Sequence, residues 1–270
     1  MIHSRFHGVP LAIEPVAARR LLAAGQFEAA FGAPPEGYRD DKGYDVVGNI
    51  AVIGVQGLLM PKLGTLRPWR NYATGYDGIR ANLAAALQDP EAHAIVLDVD
   101  SPGGLVSGLF DLAEVIFAAR AVKPVIAICE SAYSAAYAIA SAAEYLTVPA
   151  AGGVGSIGVI AALTDLSGML DKAGVAIHFV TYGRKKAAEA RAQVNGVTDE
   201  VLADLQRDID LVGEMFVSAV ARNRNISADA VRDTEAACFM GQAGMALGLA
   251  DRVCSPDAAF AAILADLGSA

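Results

Sequence analysis

The sequence predicts an α/β fold organised around a mostly parallel sheet. Short apolar, β-branched runs alternate with helical stretches, and turns rich in Gly, Ser and Pro separate them. The 270 residues are enough for one substantial core, since a domain of this size removes roughly 70–75% of its unfolded surface from water. Strands that alternate with helices pair in parallel through right-handed crossovers.

Residues 1–45 read as an N-terminal arm and linker, and 46–270 as the main domain. Pro15 to Ala24 is a short Ala- and Leu-rich helix, and Gly32 to Gly43 has the Gly, Pro and charge content of a linker. The main domain opens with Ile50 to Gln56, almost continuously apolar, as a strand covered on both faces is. Tyr76 to Leu87 has helical periodicity. The order then repeats: strand His93 to Val99, turn Ser101 to Gly104, helix Leu105 to Ala121, strand Pro124 to Ile128, helix Tyr133 to Ala142, strand Tyr145 to Val148. After the glycine-rich run Gly152 to Gly158 come a helix near Asp165 to Ala173 and a strand Ala176 to Thr181. Thr198 caps a long amphipathic helix reaching Arg222, with Val201, Leu205, Ile209, Val212, Phe216 and Val220 at helical spacing. A helix Gly241 to Leu247, a short strand Ala250 to Cys254 and a helix from Pro256 complete the chain, which has no solenoid-type repeat.

The composition excludes several classes. A net charge of −9 argues against nucleic acid as a main partner, because phosphate binding needs a basic face and the one dense basic cluster is Arg184-Lys185-Lys186. No membrane anchor is expected: the most apolar window, Pro124 to Ala143, is dominated by Ala and Ser and contains Glu130. The N-terminus lacks the basic and apolar segments of a signal peptide, so a soluble, cytoplasmic protein is expected. The three cysteines Cys129, Cys238 and Cys254 form no Cys-x-x-Cys pair, and the four histidines have no metal-ligand spacing. Neither metal nor cofactor is expected.

Ser134 stands where a buried strand gives way to a small-residue helix, which makes it a candidate nucleophile. It is equally a helix cap or a packed small residue. The Ser101-Pro-Gly-Gly104 turn lets backbone approach a ligand, and N–H groups at the following helix would serve as an oxyanion hole; turn chemistry alone accounts for it too. In a parallel sheet both lie at the C-terminal strand edge, where ligands bind. His93 and His178 fall within or at the start of strands, away from that edge. The basic run Gly183-Arg-Lys-Lys186 follows a strand at the correct edge, and lysine serves as a base when its surroundings favour the neutral amine; a solvated basic loop accounts for the run as well.

Four motifs in order, Ser101-Pro-Gly-Gly104, Ser134-Ala-Ala-Tyr-Ala-Ile-Ala140, Val154-Gly-Ser-Ile-Gly-Val159 and Gly183-Arg-Lys-Lys186, resemble the signal-peptide-peptidase A type of serine peptidase. Gly248-Leu-Ala-Asp251 is similar to that family's closing motif, and the likeness spans about Asn49 to Leu264. The resemblance implies the Clp protease and crotonase type of fold, a spiral of β-β-α units, and a Ser-Lys dyad. It makes Ser134 the nucleophile, Gly103 or Gly104 the oxyanion donors, Lys186 the general base with Lys185 as fallback, and Ser156 the residue that orients the lysine. It also implies a homo-oligomer in which the lysine can come from a neighbouring subunit. Where the membrane enzymes have Ser-Gly-Gly-Tyr this chain has Ser134-Ala-Ala-Tyr137, and Ala161 to Ser167 follows the glycine loop. Both features, and the arm segment Pro10-Leu-Ala-Ile-Glu-Pro15, resemble the phage branch of lambda-type capsid-assembly or prohead proteases. The expected activity is therefore cleavage of scaffold and capsid-assembly proteins. A cytoplasmic signal-peptide-degrading peptidase, a crotonase-type acyl-CoA enzyme and an inactive assembly protein are the alternatives. Specificity pockets are expected from Leu58 to Trp69 and the loops near Leu105.

Overall fold

The computed structural model describes residues 9–18, 43–68 and 72–268. Most of the Gly32 to Gly43 linker, the helix beyond residue 18 and Trp69 lie outside them. Ten strands form one sheet: β1 (Leu11–Ile13), β2 (Asp45–Val47), β3 (Ile50–Met60), β4 (Ala73–Gly75), β5 (Ala94–Leu105), β6 (Val125–Tyr133), β7 (Tyr145–Val148), β8 (Gly153–Gly155), β9 (Cys238–Met240) and β10 (Arg252–Val253). Its central order is β10-β7-β6-β5-β3-β2, parallel except for β2 against β3. β4 pairs in parallel with β3, β8 with β6, and β9 lies antiparallel on β8.

Alternation along the central strands explains their apolar runs. Ala51, Ile53 and Val55 of β3, Ile95, Leu97 and Val99 of β5, and Val125, Ala127 and Cys129 of β6 point into the main core. That core is closed by α1 (Tyr76–Gln88), α2 (Leu109–Ala119) and α3 (Ala135–Ser141). Ile50, Val96 and Ile128 point to the other face, which α9 (Pro256–Gly268) covers with Ala259, Phe260, Ile263 and Leu267. Both faces are thus dry, as an α/β sheet requires.

Between α3 and α9 lie α4 (Ser167–Lys172), α5 (Ala188–Asn195), α6 (Asp199–Arg224), α7 (Ala228–Arg232) and α8 (Gly241–Ala246). Thr198 caps α6 as expected, its hydroxyl accepting the Val201 N–H at 3.4 Å. Only the C-terminal part of α6 reaches the main core, where Phe216 meets Phe110 edge-on at 5.8 Å. Among the described residues no helix is long and apolar enough to cross a membrane.

Two expectations are corrected. The Ser101 to Gly104 turn is a continuation of β5, and α2 starts later, at Leu109. Pairing with β3 and β1 on either side holds this stretch extended. The expected strand Ala176 to Thr181 does not form. Among the described residues no neighbouring strand pairs with it, and a lone strand leaves its backbone groups to water. Val180 in this stretch and Tyr182 just after it are fully exposed.

The Gly248-Leu-Ala-Asp251 motif works as a structural clamp. Arg224, whose side chain is 6% exposed, donates to both Asp251 carboxylate oxygens at 2.7 and 2.9 Å, and to the Gly248 carbonyl at 3.1 Å. Asp251 also accepts the Leu146 N–H at 2.7 Å, and the buried Tyr137 hydroxyl donates to Leu249 O at 2.9 Å. The clamp ties α6 and the segment before β10 to β7 and to α3, the helix that begins after Ser134. Asp251→Ala leaves Arg224 with an uncompensated buried charge, and is expected to cost about 3 kcal/mol. A lowered urea midpoint at unchanged slope is the measurement; a midpoint equal to the wild type's would show that the clamp carries no stability.

Candidate active site

Ser134 sits between β6 and α3 with φ 54° and ψ −119°, a backbone state that costs a non-glycine residue about 1–3 kcal/mol. Three bonds hold it there. Its N–H donates to Gly155 O at 2.8 Å, its carbonyl accepts the Ala138 N–H at 3.0 Å, and its hydroxyl donates to Gly158 O at 3.4 Å. A serine on a sharp, strained strand-to-helix turn presents its Oγ at the top of the sheet. Ala135 and Ala136 are fully buried, so small side chains are needed where α3 enters the core.

Gly103 is packed directly against Ser134. A Cβ at Gly103, where φ is +102°, would lie 3.0 Å from Ser134 Cβ, 3.0 Å from Ala135 N and 2.3 Å from Ala12 O. Its own N–H is already used, donating to Ser101 Oγ at 3.1 Å while that hydroxyl donates to Gly57 O at 2.6 Å. The structure thus gives Gly103 the role of close approach. Beside it stand the backbone N–H groups of Gly104, which faces Ala12 of β1 across the ladder, and of Ala135, the first residue of α3. Ala135 was not singled out from sequence; the signal available was its place as first residue of the helix after the serine, where N–H groups have no partner within the helix.

Gly104 has no room for a side chain, because a Cβ would stand 1.9 Å from Leu59 O of β3. Gly104→Ala therefore forces β5 away from β3 at the site. The expected result is a loss of about 1–3 kcal/mol in stability and, through displacement of the N–H, a fall of roughly 10²-fold in kcat/KM. Urea titration and peptide hydrolysis on the same preparation test both, and unchanged hydrolysis would remove Gly104 from the site.

Ser156 lies on the neighbouring turn, also with positive φ (54°), and its N–H donates to Ala237 O at 2.8 Å. Partial burial, then the Glu14 carboxylate, push the Cys238 thiol up, and the Ser156 hydroxyl opposes them. Lys186 lies in the exposed turn before α5, its N–H donating to Gly183 O at 3.2 Å. No hydrogen bond joins it to Ser134 or Ser156 within this chain. Its basic neighbours are engaged with α6, Lys185 with Asp204 at 2.5 Å and Arg184 with Glu200. Among the described residues Lys186 has no ion-pair partner. His93 precedes β5 at the opposite end of the sheet, and His178 falls in the exposed stretch that forms no strand.

A mixed α/β protein with a strained serine between strand and helix, and glycine backbone pressed against it, has the layout of a nucleophile site in an α/β enzyme. Residues 118–267 match the family model described as peptidase family S49, and the chain belongs to that family. The chain is 40% identical over 234 residues to the head-tail preconnector protein GP5 of Enterobacteria phage P21, covering 86% of this chain and 46% of that protein. It is 37% identical over 225 residues to the capsid assembly protease C of Escherichia phage lambda, covering 83% and 51% respectively. Protease 4 of Salmonella typhi is 29% identical over 210 residues, 77% of this chain and 33% of that one. The chain spans about half the length of the two phage relatives.

Proposed function

We propose that this chain is a Ser-Lys endopeptidase of a phage or prophage that cleaves scaffold and capsid-assembly proteins during head maturation. The observation that carries the reading is the buried, strained Ser134 held against Gly103 in a member of peptidase family S49. The names of the two phage relatives, and the match of Ser134-Ala-Ala-Tyr137 to the phage pattern, support the substrate class. The parallel sheet fits the β-β-α spiral of the Clp protease and crotonase fold, within a peptidase domain spanning 46–270.

In this mechanism Lys186, with its amine neutral, takes the Ser134 proton as the hydroxyl oxygen attacks the scissile carbonyl. The N–H groups of Gly104 and Ala135 stabilise the oxyanion, and Gly103 provides the space for it. The protonated lysine then donates to the leaving amine, and water releases the acyl-enzyme. Ser156 orients the lysine. Because Lys186 is exposed and, among the described residues, without an ion-pair partner, near the exposed Val180 and Tyr182, the reading places the working dyad in a homo-oligomer in which a neighbouring copy covers this stretch. Neither cofactor nor metal takes part. The site of action is the host cytoplasm or the prohead.

The test is cleavage of a co-expressed phage scaffold protein by the purified chain, with trapping of an acyl group on Ser134 by mass spectrometry. Intact scaffold at all enzyme concentrations, with no acylated serine, would defeat the reading.

A further inference from the structure

The N-terminal segment Leu11–Ile13 is wholly buried, although it lies off the central strand order of the sheet. It runs antiparallel to the end of β5, with Leu11 opposite Leu105, Ala12 opposite Gly104 and Ile13 opposite Gly103. The Glu14 N–H donates to Pro102 O at 2.7 Å. Hydrogen-bonded and non-bonded pairs alternate in an antiparallel ladder, so Ala12 and Gly104 form a hydrogen-bonded pair. On its other side Leu11 exchanges both bonds with Ile160, at 2.8 and 2.9 Å. The segment is therefore sandwiched between the Gly103–Leu105 strand and the loop that follows Gly158, the residue that accepts the Ser134 hydroxyl. Its Ala12 carbonyl faces the Gly104 N–H and lies against Gly103, itself in contact with Ser134.

This is how an extended peptide presents a carbonyl to a backbone oxyanion donor while adding a strand to an open sheet edge. Side chains alternate as such recognition demands. Leu11 and Ile13 enter an apolar cluster with Leu58, Ala73, Met60 and Leu105, while Ala12, between them, turns to the main core. We infer that Pro10–Glu14 is a tethered occupant of the peptide-binding groove, lying in substrate register with Ala12 at the acyl position. The groove takes an extended peptide with a small residue at the acyl position and aliphatic residues on either side of it, and the arm must leave before a protein substrate enters. This rests on the peptidase reading for the chemistry, but the groove and its occupant stand on geometry alone. An occupant reduces apparent affinity by the fraction of time it fills the site.

The full chain carrying Leu11→Cys and Leu105→Cys tests this. The two positions form a non-hydrogen-bonded antiparallel pair, whose Cα separation of about 4.5 Å falls in the range a disulfide spans. The variant is compared oxidised and reduced, with the wild type treated identically to control for Cys129, Cys238 and Cys254. One readout is hydrolysis of a Pro-Leu-Ala-aminocoumarin substrate. The other is binding of a fluorescein-labelled Val-Pro-Leu-Ala-Ile-Glu peptide, measured by anisotropy in a Ser134→Ala background. Oxidation is expected to weaken both by at least about tenfold, with recovery on reduction, and Leu11→Ala with Ile13→Ala to tighten peptide binding by about tenfold over wild type. If the locked form binds the labelled peptide as tightly as the reduced form, the inference is overturned whatever the hydrolysis shows. If binding follows the lock while no form hydrolyses substrate, the groove stands and the peptidase reading fails. If the loosened variant does not fold, the lock comparison alone decides.

Discussion

Ser134→Ala is expected to lower kcat/KM by at least about 10⁴-fold, because removing a nucleophile leaves only what the oxyanion donors and binding contribute. Stability should change little. Alanine keeps the same strained φ and ψ, the hydroxyl's one hydrogen bond is long at 3.4 Å, and the methyl group occupies the same buried site. The pairing of a catalytic loss with an unchanged melting temperature separates a nucleophile from a capping serine. A capping role would produce the reverse pattern, a loss of about 1 kcal/mol with activity retained. The measurement is hydrolysis of scaffold and thermal unfolding on one preparation; wild-type hydrolysis by Ser134→Ala would end the Ser-Lys assignment.

The second large effect concerns the choice between adjacent lysines. Lys186→Met is expected to reduce kcat/KM by about 10³–10⁴-fold, the scale of a lost general base. Lys185→Met removes an exposed bridge to Asp204, which is worth about 0–1 kcal/mol, and should leave hydrolysis within roughly threefold of wild type. Reversed effects would transfer the role to Lys185. Mixing Ser134→Ala with Lys186→Met protein adds a further readout. If the dyad spans two copies, each mixed pair of subunits carries one intact site and activity returns; a dyad within one chain gives no recovery.

The central strands were legible because burial on both faces demands continuous apolar runs, and Ile50 to Gln56, His93 to Val99 and Tyr145 to Val148 carry them. The order of motifs was legible as well, so Ser134, Gly103 and Gly104 stand out from the sequence alone. Where β5 ends was not. Ser-Pro-Gly-Gly has turn composition, and it stays extended because β1 and β3 pair with it from either side, which no local propensity encodes. The stretch 176–181 erred the opposite way. Its residues favour a strand, yet a strand exists only where another backbone accepts its hydrogen bonds.

By itself the sequence determined the α/β class, the alternation of the core strands and the set of residues from which a site would be built. Those follow from hydrophobic period and residue chemistry, which are local. The tertiary structure alone decided that the Gly103 N–H binds Ser101, that Gly103 packs against Ser134 and Ala135, that Asp251 clamps Arg224, and that Leu11–Ile13 pairs with the end of β5 beside Ser134. Each of these depends on which distant segments share a hydrogen bond or a contact. That is set by the packing of the whole sheet, and no window of the chain contains it.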